Sequence, residues 1–179
     1  MPDSDQPSKR DGLCYALLLI SFPYCLSTIP AILQHKDPTD AILPMIADPW
    51  MEQIISGQKT YEFRKTRIRP SVKRIWFYLT SPHSCIKYIC EIDPARTRNP
   101  GDEPLEEGPL GNKEFNERHR EWDGYDFAYK IKSVYELRSP ITLKDMKEKY
   151  GLKSAPRSIV FVKADMLEDV SLDGQIKHR

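Results

Sequence analysis

The chain has 179 residues, of which 40% are hydrophobic and 30% are charged. This length and composition are typical of one folded domain with some tail, and they exclude a chain that is disordered throughout. The formal net charge is +1, from 27 basic and 26 acidic residues, so the overall charge does not indicate a nucleic-acid partner.

The four cysteines contain no CxxC pair, and the four histidines are scattered along the chain. No group of these residues has the spacing of a zinc site. We therefore expect no metal and no cofactor. The cysteine pattern favours reduced thiols in an intracellular compartment, either cytoplasmic or nuclear.

Residues 1–40 are predicted to be a disordered or apolar leader. Within this leader, residues 13–33 contain no charged side chain and are long enough to span a bilayer. A basic pair, Lys9 and Arg10, precedes this apolar run as in a signal peptide. Because Pro23 and Pro30 interrupt any helix, a signal, an anchor and an unstructured leader all stay open.

The predicted folded domain covers residues 41–165 and begins with a strand over 42–46. Asp48 and Pro49 mark the start of a short helix that Gly57 ends. The later elements are strands over 72–80, 85–92, 127–137 and 157–162, helices over 113–122 and 143–150, and a charged tail over 166–179. Many short strands with a few short helices predict an α+β domain with a small, curved sheet that closes into a full or partly open barrel.

The strand that follows Gly57 has polar and aromatic residues in alternation. Tyr61 and Phe63 are expected to pack inward, and Glu62 and Arg64 then lie together on the other face. This polar face is either a solvated surface with an ordinary ion pair or the wall of a binding site. Lys59, just before it, is either an exposed cation for phosphate or, if buried, a base or nucleophile.

Charge is concentrated in two segments despite the near-neutral total. Residues 59–74 contain seven basic side chains and one acid, a balance of +6, whereas residues 94–126 contain five basic side chains and nine acids, a balance of −4. The basic segment is expected to attract anionic ligands, or the two segments screen each other.

Other residues are candidates for contact with a ligand. Trp76 and Tyr78 share one face of their strand, where they either stack a base or cover the barrel beneath a helix. The remaining candidates are Thr80 at the end of that strand, Asn112 and Phe115 in a long connection that can act as a lid, and Arg67 at the rim.

The segment GQKTYEFR at 57–64 resembles the G-x-K-x-x-E-x-R signature of the ASCH domain, a member of the PUA-like superfamily. The resemblance extends over residues 42–162 and includes RIWFYLTSP at 74–82, GNKEF at 111–115 and KSAPRSIVFV at 153–162. It implies a small PUA-like β-barrel with flanking short helices. ASCH domains are associated with binding of RNA or nucleotides, in some cases within transcription coactivators.

The resemblance leaves two functions open, and the apolar segment 13–33 adds a third. The first is an RNA- or nucleotide-binding domain with Arg64, Trp76, Tyr78, Thr80, Asn112, Phe115 and Arg67 as ligand contacts and with protein partners in RNA or transcription complexes. The second is a small amidohydrolase on acetylated cytidine or related nucleosides, or a ribonuclease, with Lys59 and Glu62 as catalytic residues. In the amidohydrolase members a threonine replaces Glu62, and their second catalytic glutamate has no clear match here. The third is an interaction protein anchored to a membrane through residues 13–33.

Overall fold

The structure, a computed structural model, describes residues 37–179. The predicted leader segment 13–33 lies outside the described residues. Within the part that is described, no helix is both long and apolar enough to cross a bilayer. The elements in chain order are β1 (Asp40–Met45), α1 (Trp50–Ile55), β2 (Tyr61–Arg64), β3 (Arg74–Leu79), β4 (Cys85–Ile92), α2 (Asn112–Asn116), a 3-10 turn (Arg120–Trp122), β5 (Phe127–Thr142), α3 (Leu143–Glu148), β6 (Val160–Phe161), α4 (Ala164–Asp169) and β7 (Ile176–Lys177).

The strands form one mixed sheet in the order β2-β5-β4-β3-β1-β6, with β7 paired to β5. Strands β1 and β3 run parallel, and the other neighbours are antiparallel. The sheet curls into a half-barrel whose free edges are β2 and β6. The predicted α+β fold with a small, barrel-like sheet is confirmed.

Strand β3 is buried on both faces. Ile75 and Phe77 pack on the inner face with Met51 and Ile54 of α1. Trp76 and Tyr78 point to the other face, where helices α3 and α4 cover them. The alternation of the strand was therefore predicted correctly, but its aromatic face is a second core and not a ligand surface.

A buried carboxylate anchors this second core. Asp40 at the start of β1 is almost fully buried. One carboxylate oxygen accepts a hydrogen bond of 2.8 Å from Trp76 Nε1 and lies 2.6 Å from Arg74 Nε. Since a buried charge needs such partners, Asp40 connects β1 and β3 through side chains as well as through the backbone ladder.

Replacing Trp76 with phenylalanine is expected to lower the free energy of unfolding by about 1–3 kcal/mol, because Asp40 loses a buried donor. Urea denaturation of the purified protein measures this loss. A matched control is Trp50→Phe, since Trp50 is exposed and makes no hydrogen bond to another residue within 37–179. Equal stability of the two variants would contradict the structural role assigned to Trp76.

Three other elements differ from the predictions. The helix expected over 113–122 is broken into α2 and the 3-10 turn, because the backbone at Arg118 takes a positive φ of 53°. Strand β5 runs past its expected end to Thr142, since its second half pairs with the start of β4. The last predicted strand contracts to Val160–Phe161. The helix predicted over 143–150 forms over Leu143–Glu148, where Thr142 is the N-cap and Asp145 completes a capping box.

The segment predicted as a charged tail, residues 166–179, contains the end of α4 and all of β7. Met166 of α4 is fully buried in the second core, and Ile176–Lys177 adds a strand to β5. The tail has too few apolar residues to show a strand pattern, but one buried methionine and main-chain hydrogen bonds are sufficient to attach it to the sheet.

Candidate functional site

A cleft with a volume of about 320 Å³ lies where the polar face of β2 meets α1. Charged side chains form its floor and apolar or aromatic side chains form its walls. The lining residues are Pro44, Met45, Ile46, Trp50, Lys59, Glu62, Phe63, Arg64, Trp122 and Tyr125. Three of the predicted site residues, Lys59, Glu62 and Arg64, are brought together here.

The end of α1 places Lys59. Gly57 takes a positive φ of 80°, which ends the helix and reverses the chain. The backbone N–H of Lys59 then donates a 2.9 Å hydrogen bond to the carbonyl of Gln53. The side chain of Lys59 consequently lines the cleft two residues before β2 begins to pair with β5.

Glu62 binds both cations of the floor. Its Oε2 lies 2.5 Å from Lys59 Nζ, and its Oε1 lies 2.8 Å from Arg64 Nη2. The side chains of Lys59 and Glu62 are 10% and 5% exposed, whereas that of Arg64 is 24% exposed. We call these three residues the floor triad. It carries a net charge of +1, and Glu62 serves chiefly to hold the two cations in place.

Arg64 also connects β2 to β1, the neighbour of edge strand β6. Its Nη2 donates a 3.1 Å hydrogen bond to the carbonyl of Pro44 on β1. Its Nε has no hydrogen-bond acceptor among the described residues. Because both contacts use Nη2, the guanidinium keeps the N–H donors of its other nitrogens for an anionic ligand.

Aromatic rings surround the floor triad. Trp50, in the first turn of α1, is 46% exposed, and Lys59 Nζ lies 6.0 Å from the centre of its ring. On the opposite side, Trp122 packs edge-on against Phe63 with ring centres 4.9 Å apart, and Tyr125 lies beside Trp122. The cleft thus offers flat apolar surfaces next to a buried positive charge.

The other predicted site residues lie outside this cleft. Trp76 and Tyr78 belong to the second core on the far face of the sheet, so the prediction that they line the pocket is corrected. Thr80 ends β3, where its N–H bonds to the carbonyl of Met45. Arg67 is exposed in the loop after β2 and does not line the cleft.

Asn112 and Phe115 support the cleft from behind and do not line it. Phe115 is buried against Phe63, with ring centres 5.2 Å apart. Asn112 is fully buried and donates to the carbonyl of Glu106. The connection 94–126 does lie along one side of the cleft, but through Trp122 and Tyr125.

The sequence contains one signal for the missed aromatic wall. Trp50 precedes Met51 and Ile54, the buried positions of α1, and lies outside their apolar stripe. In a helix next to a predicted site, a large aromatic side chain outside the buried stripe indicates a surface for ligand contact. Trp122 and Tyr125 have no such periodicity because Trp122 ends the short 3-10 turn and Tyr125 lies in the loop after it.

Cysteine and metal chemistry find no support near the cleft. Burial raises the pKa of the Cys90 thiol well above its ordinary value, so the thiol stays protonated at neutral pH. Among residues 37–179, no three His, Cys, Asp or Glu side chains are grouped as metal ligands.

Three solved structures share this fold. The crystal structure of ASCH from Zymomonas mobilis has a TM-score of 0.52 and 21% identity, and the match covers 74% of this chain and 93% of that chain. A variant of the same protein has the same TM-score and identity, and the match covers 74% of this chain and 94% of that chain. A second variant has a TM-score of 0.52 and 20% identity. No protein-family model and no curated protein matches the chain. The described part of the chain therefore has the fold of an ASCH domain, as its signature at 57–64 predicted.

Proposed function

We propose that this chain binds RNA or a nucleotide in the cleft above the floor triad. The observation that carries the proposal is the combination of exposed Trp50 with a buried, positively charged floor. A base can stack on the ring of Trp50 irrespective of its hydrogen-bonding edge. Arg64 then supplies donors for an anionic group of the same ligand.

The hydrolase alternative has less support from the geometry. A lysine that acts as a base or nucleophile must reach the reacting atom of its substrate, whereas Lys59 Nζ is held 2.5 Å from Glu62 Oε2 by a hydrogen bond. The carboxylate of Glu62 is itself occupied at both oxygens. An acetate-release assay with acetylated cytidine tests this alternative, and we expect no turnover above background.

Binding of short single-stranded RNA is expected to weaken as salt rises, because each phosphate contact releases counterions. Replacing Trp50 with alanine is expected to weaken this binding by about 1–3 kcal/mol, since one stacking platform is removed. Fluorescence anisotropy with a labelled oligoribonucleotide, repeated at several salt concentrations, measures both effects.

The matched control is Trp76→Phe, which alters a tryptophan of the second core and leaves the cleft intact. If folded Trp50→Ala binds as tightly as the unsubstituted chain, the cleft is not the binding site. If no RNA or nucleotide binds at any salt concentration, the proposed function is wrong.

A further inference from the structure

A second groove, with a volume of about 410 Å³, continues from the cleft across Arg64. Both cavities share Pro44 and Arg64, the pair whose hydrogen bond bridges β1 and β2. Beyond this bridge, the groove is formed by the loop after β2 and the loop before β6. Its lining residues are Pro44, Arg64, Lys65, Thr66, Ile68, Arg157, Ser158 and Ile159.

The groove is cationic. Arg64, Lys65 and Arg157 line it, and no acidic side chain does. Within residues 37–179, neither Lys65 nor Arg157 makes an ion pair. By contrast, Glu62 lies on the cleft side of Arg64 and offsets charge there. Counting lining side chains, with Arg64 in both cavities, the groove has a formal charge of +3 and the cleft one of +1.

Lys65 lies at the junction of the two cavities. Its ammonium is 5.0 Å from the ring centre of Tyr125, which lines the cleft. A ligand whose ring lies near Tyr125 thus has a cation within reach on the groove side. Arg157 faces the same groove from the opposite edge of the sheet. The two edges supply donors to one common space.

We infer that the groove holds a phosphate group attached to the nucleoside that the cleft binds, so that the ligand is a nucleoside monophosphate or an RNA strand and not a free nucleoside. This inference rests on the proposed function. The flat ring occupies the aromatic cleft, the ribose crosses Arg64, and Arg157 binds phosphate oxygens through its planar fork.

Calorimetric titration with adenosine, cytidine and their 5′- and 3′-monophosphates tests the inference. The monophosphates are expected to bind about 10- to 150-fold more tightly than the nucleosides. Arg157→Ala is expected to remove most of this difference and leave nucleoside affinity unchanged. The matched control is Lys153→Ala, which removes one exposed positive charge nearby but outside both cavities.

A short oligoribonucleotide separates a free nucleotide from a strand. If the groove holds backbone phosphate, Arg157→Ala lowers the salt dependence of oligonucleotide binding by about one counterion. If the groove serves a terminal phosphate alone, oligonucleotides with and without that phosphate differ in affinity, and only the phosphorylated one responds to Arg157→Ala. Either result supports the inference.

Two results overturn it in different ways. If nucleosides and monophosphates bind equally and both depend on Trp50, the phosphate groove is wrong and the proposed function stands. If no nucleoside, nucleotide or RNA shows binding that depends on Trp50, the proposed function itself is wrong.

Discussion

Replacing Glu62 with alanine is expected to lower the free energy of unfolding by about 3–5 kcal/mol. Glu62 is buried and holds Lys59 at 2.5 Å and Arg64 at 2.8 Å. Without its carboxylate, the buried ammonium of Lys59 has no counter-charge and the two cations repel each other. Chemical denaturation at neutral pH measures the loss.

An exposed ion pair is the control for this effect. Lys144 and Glu148 lie 4.0 Å apart on the surface of α3, with side chains 76% and 68% exposed. Glu148→Ala is expected to change stability by only about 0–1 kcal/mol. If Glu62→Ala costs no more than Glu148→Ala, the floor triad is not a buried charge network.

A double substitution locates the origin of the loss. In a Lys59→Met background, removal of Glu62 leaves only Arg64 without its carboxylate partner. In the unsubstituted background it leaves both Lys59 and Arg64 without one. The second substitution should therefore cost less than it does alone, with a coupling energy of about 0.5–3 kcal/mol. Strict additivity would show that Lys59 and Glu62 do not interact in solution.

Replacing Gly111 with alanine is expected to destabilise the fold by about 2–5 kcal/mol and to weaken binding in the cleft. Gly111 has a φ of +89°, where a Cβ atom is strained. That Cβ would also lie 2.7 Å from Trp122 Cη2 and 2.8 Å from Phe63 Cε2. Because Trp122 lines the cleft, the displaced ring alters the ligand surface.

Gly101 separates the effect of backbone strain from the effect of steric overlap. Its φ of +94° is similar, but a Cβ atom there would meet nothing within 4 Å. Gly101→Ala is expected to cost only the backbone strain, about 1–2 kcal/mol. Denaturation curves of the two variants, with nucleotide affinity as a second readout, compare them directly. Equal losses would contradict a steric role for Gly111 in the aromatic wall.

The local pattern was sufficient to place most elements and the floor triad. The segment from Gly57 to Arg64 combines a helix stop with a two-residue alternation, and both features depend only on neighbouring residues. Because residues two apart in a strand share a face, Glu62 and Arg64 had to lie side by side. Strand β4 was predicted with the bounds that the structure has, Cys85–Ile92.

The aromatic wall depended on contacts between distant parts of the chain. Trp50 and Trp122 are 72 positions apart, and nothing in the local spacing of either indicates that they line one cleft. The alternation in β3 places Trp76 on one face of the strand, but it is the same whether a bound base or a helix covers that face. Only the position of α3 and α4, which follow it by many residues, decided that it is core.

The sequence by itself determined the succession of β1 to β6 along the chain, the alternation of side chains and the charged signature. These features follow from backbone geometry and local residue types. The tertiary structure alone decided which faces are covered, and it brought Arg157 and Arg64 to the lining of one groove. The physical reason is that burial and cavity shape depend on long-range packing, which a one-dimensional pattern does not contain.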